Sequence, residues 1–110
     1  MRALGKSKYH NRKTFVEGIQ FDSQKEARRY QELRVLQGAG EIQHLEVQPS
    51  FDLTVNGHKL GKYFGDFRYQ VISTGAIVTE DVKSEATRTA VYRLKKKLVK
   101  ALYDVEVVEV

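Results

Sequence analysis

The polar and apolar positions change period several times along the chain. In "KTFVEGIQF" two short apolar runs flank Glu17 and Gly18, the pattern of a β-hairpin with those two residues at its turn. In "FDSQKEARRYQELRVLQGAG" the apolar residues Ala27, Tyr30, Leu33 and Leu36 recur at helical spacing and predict a core-facing stripe. Ser23 with Glu26 three residues on forms a capping box, and Gly38 and Gly40 end the helix. "EIQHLEVQPSFDLTV" reads as extended, with Pro49 breaking it or placing it at an edge. Phe51, Leu53 and Val55 alternate with polar residues, and Asn56-Gly57 is a strong turn signal. Strand character returns from Lys62 to Ile72, "STG" turns the chain, and Ala76 to Lys83 runs back. A second helix lies in "EATRTAVYRLKKKLVKALY", capped by Thr87 or Thr89, with Val91, Leu94, Leu98 and Ala101 forming one apolar stripe. "DVEVVEV" is a last strand. This order predicts one α/β domain over residues 1–110, a mixed sheet flanked by two helices after an N-terminal hairpin.

Composition narrows the setting. A chain of 110 residues suits one core, and 41% hydrophobic with 30% charged residues suits a globular protein. No apolar run reaches the ~20 residues of a membrane span, so no membrane partner is expected. The first residues hold no apolar segment of signal-peptide length. There is no cysteine, which removes disulfides, thiolate zinc sites and cysteine nucleophiles and fits a cytoplasmic setting. The net charge of +5 directs attention to a polyanion, and nucleic acid is the commonest. Basic residues collect at the N-terminus, including Lys8, Arg12 and Lys13, and on the second helix as Lys95, Lys96 and Lys97. Each group reads either as a phosphate contact or as a solvated face.

The stretch "VTEDVKS" places three charges at the end of a strand. If Ile72 pairs with Ile77 across the "STG" turn, Asp66 falls opposite Lys83 and diagonal to Asp81, all on one face. A register moved by one residue would send Asp66 to face Val82 and dissolve the cluster. Two close carboxylates repel unless a proton or cation intervenes, and a hard divalent ion such as Mg²⁺ satisfies both. That combination serves phosphodiester hydrolysis. The plainer reading is a cross-strand salt bridge between Asp66 and Lys83, worth about 0.2–1 kcal/mol.

"GDFRYQVISTGAIVTEDVK" resembles the core of the PD-(D/E)xK, or restriction-endonuclease-like, nuclease superfamily. Its matching residues are Asp66, Asp81 and Lys83, with Glu26 in "SQKEARRY" as the helix glutamate. The blocks "KYHNRK", "KEARRY", "QP" and "EDVKS" are also similar to a domain-of-unknown-function family of short phage and prophage proteins, over nearly the whole chain. An endonuclease that cuts transposon ends has a similar arrangement. The proline of the superfamily signature is Gly65 here. The resemblance implies a restriction-endonuclease-like fold and a Mg²⁺- or Mn²⁺-dependent DNA endonuclease. Asp66, Asp81 and the Val82 carbonyl would ligate the metal, Lys83 and Glu26 would be catalytic, and Gln48 would line the cleft. It also implies DNA as partner, a homodimer for cutting two strands, and a phage setting in a host cytoplasm.

Other readings stand beside these. Glu26 is already explained by the capping box. Glu80 lies on the opposite strand face and reads as solvated or paired with a basic residue. His10, His44 and His58 share no metal-ligand spacing. Tyr63, Phe64, Phe67 and Tyr69 read as core and cross-strand packing. The rival function is a nucleic-acid-binding module on the same fold, non-catalytic or dependent on a partner, and a third reading is a small basic accessory protein.

Overall fold

The computed structural model describes residues 13–110. The first hairpin pairs β1 (Thr14–Val16) with β2 (Ile19–Phe21) across Glu17 and Gly18, both at positive φ. Helix α1 (Gln24–Gly38) begins at Ser23, whose Oγ accepts the Glu26 N–H at 3.1 Å. It buries Ala27, Tyr30 and Leu33, while Leu36, in the last turn, is exposed.

The chain then builds β3 (Ile42–Val47), β4 (Ser50–Val55), β5 (His58–Phe64), β6 (Phe67–Val71) and β7 (Ile77–Asp81), followed by a short 3-10 turn (Glu85–Thr87). Helix α2 (Ala90–Tyr103), capped by Thr89, and β8 (Val107–Glu109) complete it. The main sheet has the order β3-β6-β7-β8, antiparallel except for the parallel β7/β8 pair, and β4-β5 is a separate hairpin. Among the described residues no helix is long and apolar enough to cross a membrane.

The strand read from Lys62 to Ile72 is in fact two. It breaks at Gly65 and Asp66, so β5 belongs to the hairpin and β6 to the main sheet. The cause is a crossing with Pro49: Gly65 N–H donates to the Pro49 carbonyl at 2.9 Å, and Gln48 N–H donates to the Asp66 carbonyl at 2.9 Å. A Cβ at residue 65 would meet Thr79 Cγ2 at 3.1 Å and Pro49 Cγ at 3.4 Å. A proline at 65 would also lack the N–H used there. Phe64, read as packing, lies on the outside of β5 and is exposed.

Two cores result, one on each side of the main sheet. Phe21, Tyr30, Leu33 and Phe67 form the first beneath α1, and Phe51, Leu53, Tyr63, Tyr92 and Val99 form the second beneath α2. Helix α2 does not pack through its apolar stripe. It buries Tyr92 and Val99 instead, and leaves Val91 and Leu94 outside.

Candidate metal and phosphate site

The β6/β7 turn decides which residues meet. Its loop runs from 72 to 75: Val71 N–H donates to the Ala76 carbonyl at 2.8 Å, and Gly75 N–H to the Val71 carbonyl at 2.7 Å. The pairing is therefore Gln70 with Ile77 and Phe67 with Glu80, not Ile72 with Ile77. The register differs by two residues from the sequence expectation. An even shift keeps every side chain on its face. The ladder ends at Phe67 and Glu80; just beyond it Asp66 N–H donates to the Glu80 carbonyl at 2.9 Å, and the Asp66 and Asp81 carboxyls lie within hydrogen-bond reach of each other.

Asp81 is buried, and its Oδ1 lies 3.1 Å from Lys83 Nζ. Its Oδ2 accepts the Tyr63 hydroxyl. Asp66 Oδ2 accepts the Val82 N–H at 2.6 Å. Lys83 is held in place from several sides. Its N–H donates to the Val110 carbonyl at 3.1 Å, its carbonyl accepts Lys25 Nζ at 2.7 Å, and its ammonium sits 4.0 Å from the Tyr92 ring centroid. Glu26 stands on the first turn of α1 and shares with Val82 and Lys83 the wall of a cavity of about 90 Å³.

Electrostatics mark the carboxylate pair as unsatisfied. Asp66 is raised to about 8, first by burial and then, against the lowering effect of the Val82 N–H, by the adjoining Asp81 carboxyl. Glu26 is raised by burial first, then by Asp22, and more weakly by Asp81. The Tyr63 hydroxyl is raised by burial and by its bond to Asp81. One lysine is too little positive charge for this group.

Two carboxyl groups are hard oxygen donors that suit Mg²⁺, and a divalent charge would offset the burial and the nearby Asp81 carboxyl that favour the protonated form of Asp66. Among the described residues no three His, Asp or Glu side chains close into a ready-made cage. Two carboxylates alone would leave the rest of an ion's shell to water and phosphate oxygens, the usual habit of Mg²⁺.

The remaining sequence-predicted residues divide. Gln48 is exposed, at φ 56°, and its main chain touches that of Asp66, so it borders the site. Lys13 lies 3.5 Å from Asp22. Lys96 Nζ is 3.4 Å from Glu109, while Lys95 and Lys97 flank the outward stripe of α2. Lys8 and Arg12 lie outside the described residues. Glu80 is not solvated. It is almost fully buried and takes Arg29 in a two-pronged pair, Nε to Oε1 at 2.8 Å and Nη2 to Oε2 at 2.6 Å, with the Tyr69 hydroxyl as a third donor.

Sequence reasoning missed three contributors. Tyr63 reads as core from its alternation, but its hydroxyl reaches Asp81. Lys25 and Arg28 line a cavity of about 260 Å³ that opens beside Val82. Their place three apart on the helix was the available signal.

The family model described as Protein of unknown function (DUF1064) matches residues 6–108. No curated protein and no solved structure matches the chain.

Proposed function

The chain belongs to the DUF1064 family, and from that premise we propose that it is a Mg²⁺- or Mn²⁺-dependent DNA endonuclease of the PD-(D/E)xK type. The observation that carries this is the meeting of the Asp66 and Asp81 carboxyls, with Lys83 Nζ 3.1 Å from Asp81. A bound divalent ion supplies charge neutralisation and Lewis acidity at the phosphate. Asp66 and Asp81 hold it, with the Val82 carbonyl beside them. Lys83, pinned at its main chain and over Tyr92, keeps an ammonium at the point where negative charge grows during attack on phosphorus. Glu26, half-buried with a raised pKa, orients or accepts a proton from the attacking water. Lys25 and Arg28 offer charge to the flanking phosphates in the adjoining cavity.

Base readout has little room in so small a domain, so DNA shape, such as a branch or junction, is the proposed determinant. The proposed setting is the cytoplasm, of a host cell where the gene is phage-borne. Two copies acting on one DNA would cut both strands.

The test is nicking of supercoiled plasmid and of junction DNA in Mg²⁺ or Mn²⁺, comparing wild type with Asp81→Asn. Metal-dependent nicking by wild type alone supports the enzyme. DNA binding by both proteins with cleavage by neither supports the binding module, and absence of DNA binding removes both readings.

A further inference from the structure

Helix α2 carries three distinct faces. One packs inward through Tyr92 and Val99. One is basic, with Lys96 and Lys100 paired to acids at the C-terminal end of the chain. The third is apolar and turned outward: Val91 is 64% exposed, Leu94 59% and Leu102 39%, with Leu98 half-buried between them.

The outward face is fixed by hydrogen bonds rather than by loose docking. Tyr92 OH donates to Glu109 Oε2 at 2.7 Å, and Tyr103 OH donates to the Asp52 carbonyl at 2.7 Å. Thr89 Oγ1 accepts the Tyr92 N–H at 3.1 Å and sets the first turn. Turning the stripe inward would break both tyrosine hydroxyl bonds and empty the Val99 pocket. So the apolar stripe is a stable property of the free surface.

Its spacing is informative. Val91, Leu94, Leu98 and Ala101 alternate three and four apart, as the a and d positions of a heptad do. In that frame Lys95 is an e position and Lys97 a g position. These flanking positions choose the partner of a helix pair through their charges. There is no acid between Ala90 and Tyr103. Among the described residues, Arg93, Lys95 and Lys97 make no ion pair. A second α2 packed antiparallel would set lysine against lysine, and packed parallel it would offer no acid either. Nucleic acid would satisfy the lysines but leave the leucines in water.

We propose that α2 is a docking surface for an amphipathic helix of a protein partner, one with an apolar seam bordered by Glu or Asp. This assignment does not depend on the nuclease reading. The partner's seam covers Val91, Leu94, Leu98 and Leu102, and its acids meet Lys95 and Lys97.

The experiment uses the full chain and synthetic three-heptad peptides, followed by fluorescence anisotropy. One peptide has Leu at a and d with Glu at e and g. A second has Lys at e and g. A third keeps Glu but has Ser at a and d. The first should bind at least about tenfold more tightly than either control, and the double variant Val91→Ser/Leu94→Ser should lose about tenfold of that affinity at unchanged melting temperature. Equal binding of the first and third peptides would reduce the effect to bulk charge and overturn the proposal, as would no binding of the first. Sedimentation provides the other arm. A wild-type dimer that the double variant turns into a monomer would assign the face to a second copy and overturn it too.

Discussion

Glu80 and Asp81 are neighbours on β7, both almost fully buried, and they point to opposite faces of the sheet. Glu80 has everything a buried carboxylate needs: two guanidinium hydrogen bonds from Arg29 and one hydroxyl from Tyr69. Asp81 has one lysine and one tyrosine hydroxyl, and beside it stands another acid. The first arrangement is closed, and a further cation would find no call for its charge. The second is left open by one positive charge or more. Buried ion pairs add little net stability but are costly to break. A buried acid pair left short of charge is stable only with a proton or a ligand, which makes it the candidate binding place. Arg29 and Glu80 also tie α1 to the sheet one turn after Glu26, which lines a cavity with Val82 and Lys83.

The widest separation of the two faces should come from removing one acid from each. Asp81→Asn is expected to lower metal-dependent cleavage by roughly 10²–10³-fold or more, with a smaller loss of stability than at Glu80, because the lost pairing with Lys83 is offset by removing half of an acid pair. Glu80→Gln is expected to do the reverse: it strips a charge from Arg29 and lowers stability, while cleavage per folded molecule falls far less than in Asp81→Asn because Gln still accepts a hydrogen bond from Arg29. Plasmid nicking and urea unfolding on both variants measure this. Equal loss of activity in the two would erase the distinction between faces.

Next in size is Arg29→Ala. It leaves Glu80 buried without its cation, at a cost of about 3–5 kcal/mol. Because α1 then loses its tie to β7, metal-dependent cleavage by the remaining folded protein should also fall, through Glu26. Arg29→Lys should recover part of the stability but less of the alignment, since an ammonium lacks the two-pronged geometry. Urea unfolding beside single-turnover cleavage separates the two effects.

Much of this could be read from local pattern. The first hairpin, the Ser23 cap, the α1 stripe and the shared face of Asp66, Asp81 and Lys83 rest on contacts within a few residues or on the two-residue period of strands. What escaped rests on distant partners. The break at Gly65 needs Pro49 beside it. The β6/β7 loop is closed by Gly75 at φ 76° and by Thr74 Oγ1 accepting the Ala76 N–H, a four-residue loop one position earlier than the 73–76 loop that an Ile72/Ile77 pair would leave. The orientation of α2 is set by Tyr92 and Tyr103 hydroxyls bonding to Glu109 and Asp52, which no periodicity encodes. Alternation assigns Tyr63 to the core and says nothing of the acid at the end of its ring.

The open face should also betray itself by its pH dependence. In the metal-free fold Asp66 is raised from 3.8 to about 8, so folding favours its protonated form. That stabilisation is complete below about pH 4 and is lost as pH rises through about 8. A divalent ion favours the carboxylate and acts in the opposite direction. Mg²⁺ should therefore raise the melting temperature more at pH 8 than at pH 5.5, and its binding near pH 7 should release roughly one proton. Asp66→Asn should flatten both responses. Thermal melts across pH and calorimetry in buffers of different ionisation enthalpy read them out, and a metal response that is the same at both pH values would count against ion binding by this pair.

The smallest expected effect is at Tyr63→Phe, which removes one hydrogen bond from Asp81 and nothing else. The ring stays, with its contacts to Phe51 and Tyr92, so the second core is undisturbed. Losing a buried hydroxyl bond to a charged acceptor costs about 1–3 kcal/mol. Asp81 then relies on Lys83 alone, and the repulsion from Asp66 is less well balanced. The variant should be destabilised without metal and should recover most of the loss when Mg²⁺ is added, because the ion supplies what the hydroxyl gave. Tyr69→Phe, the matching change at Glu80, should cost a similar amount that Mg²⁺ does not restore. Melting temperatures of the two variants with and without Mg²⁺ settle the point. If the metal rescues both or neither, the two acids of β7 differ in their neighbours but not in what they bind.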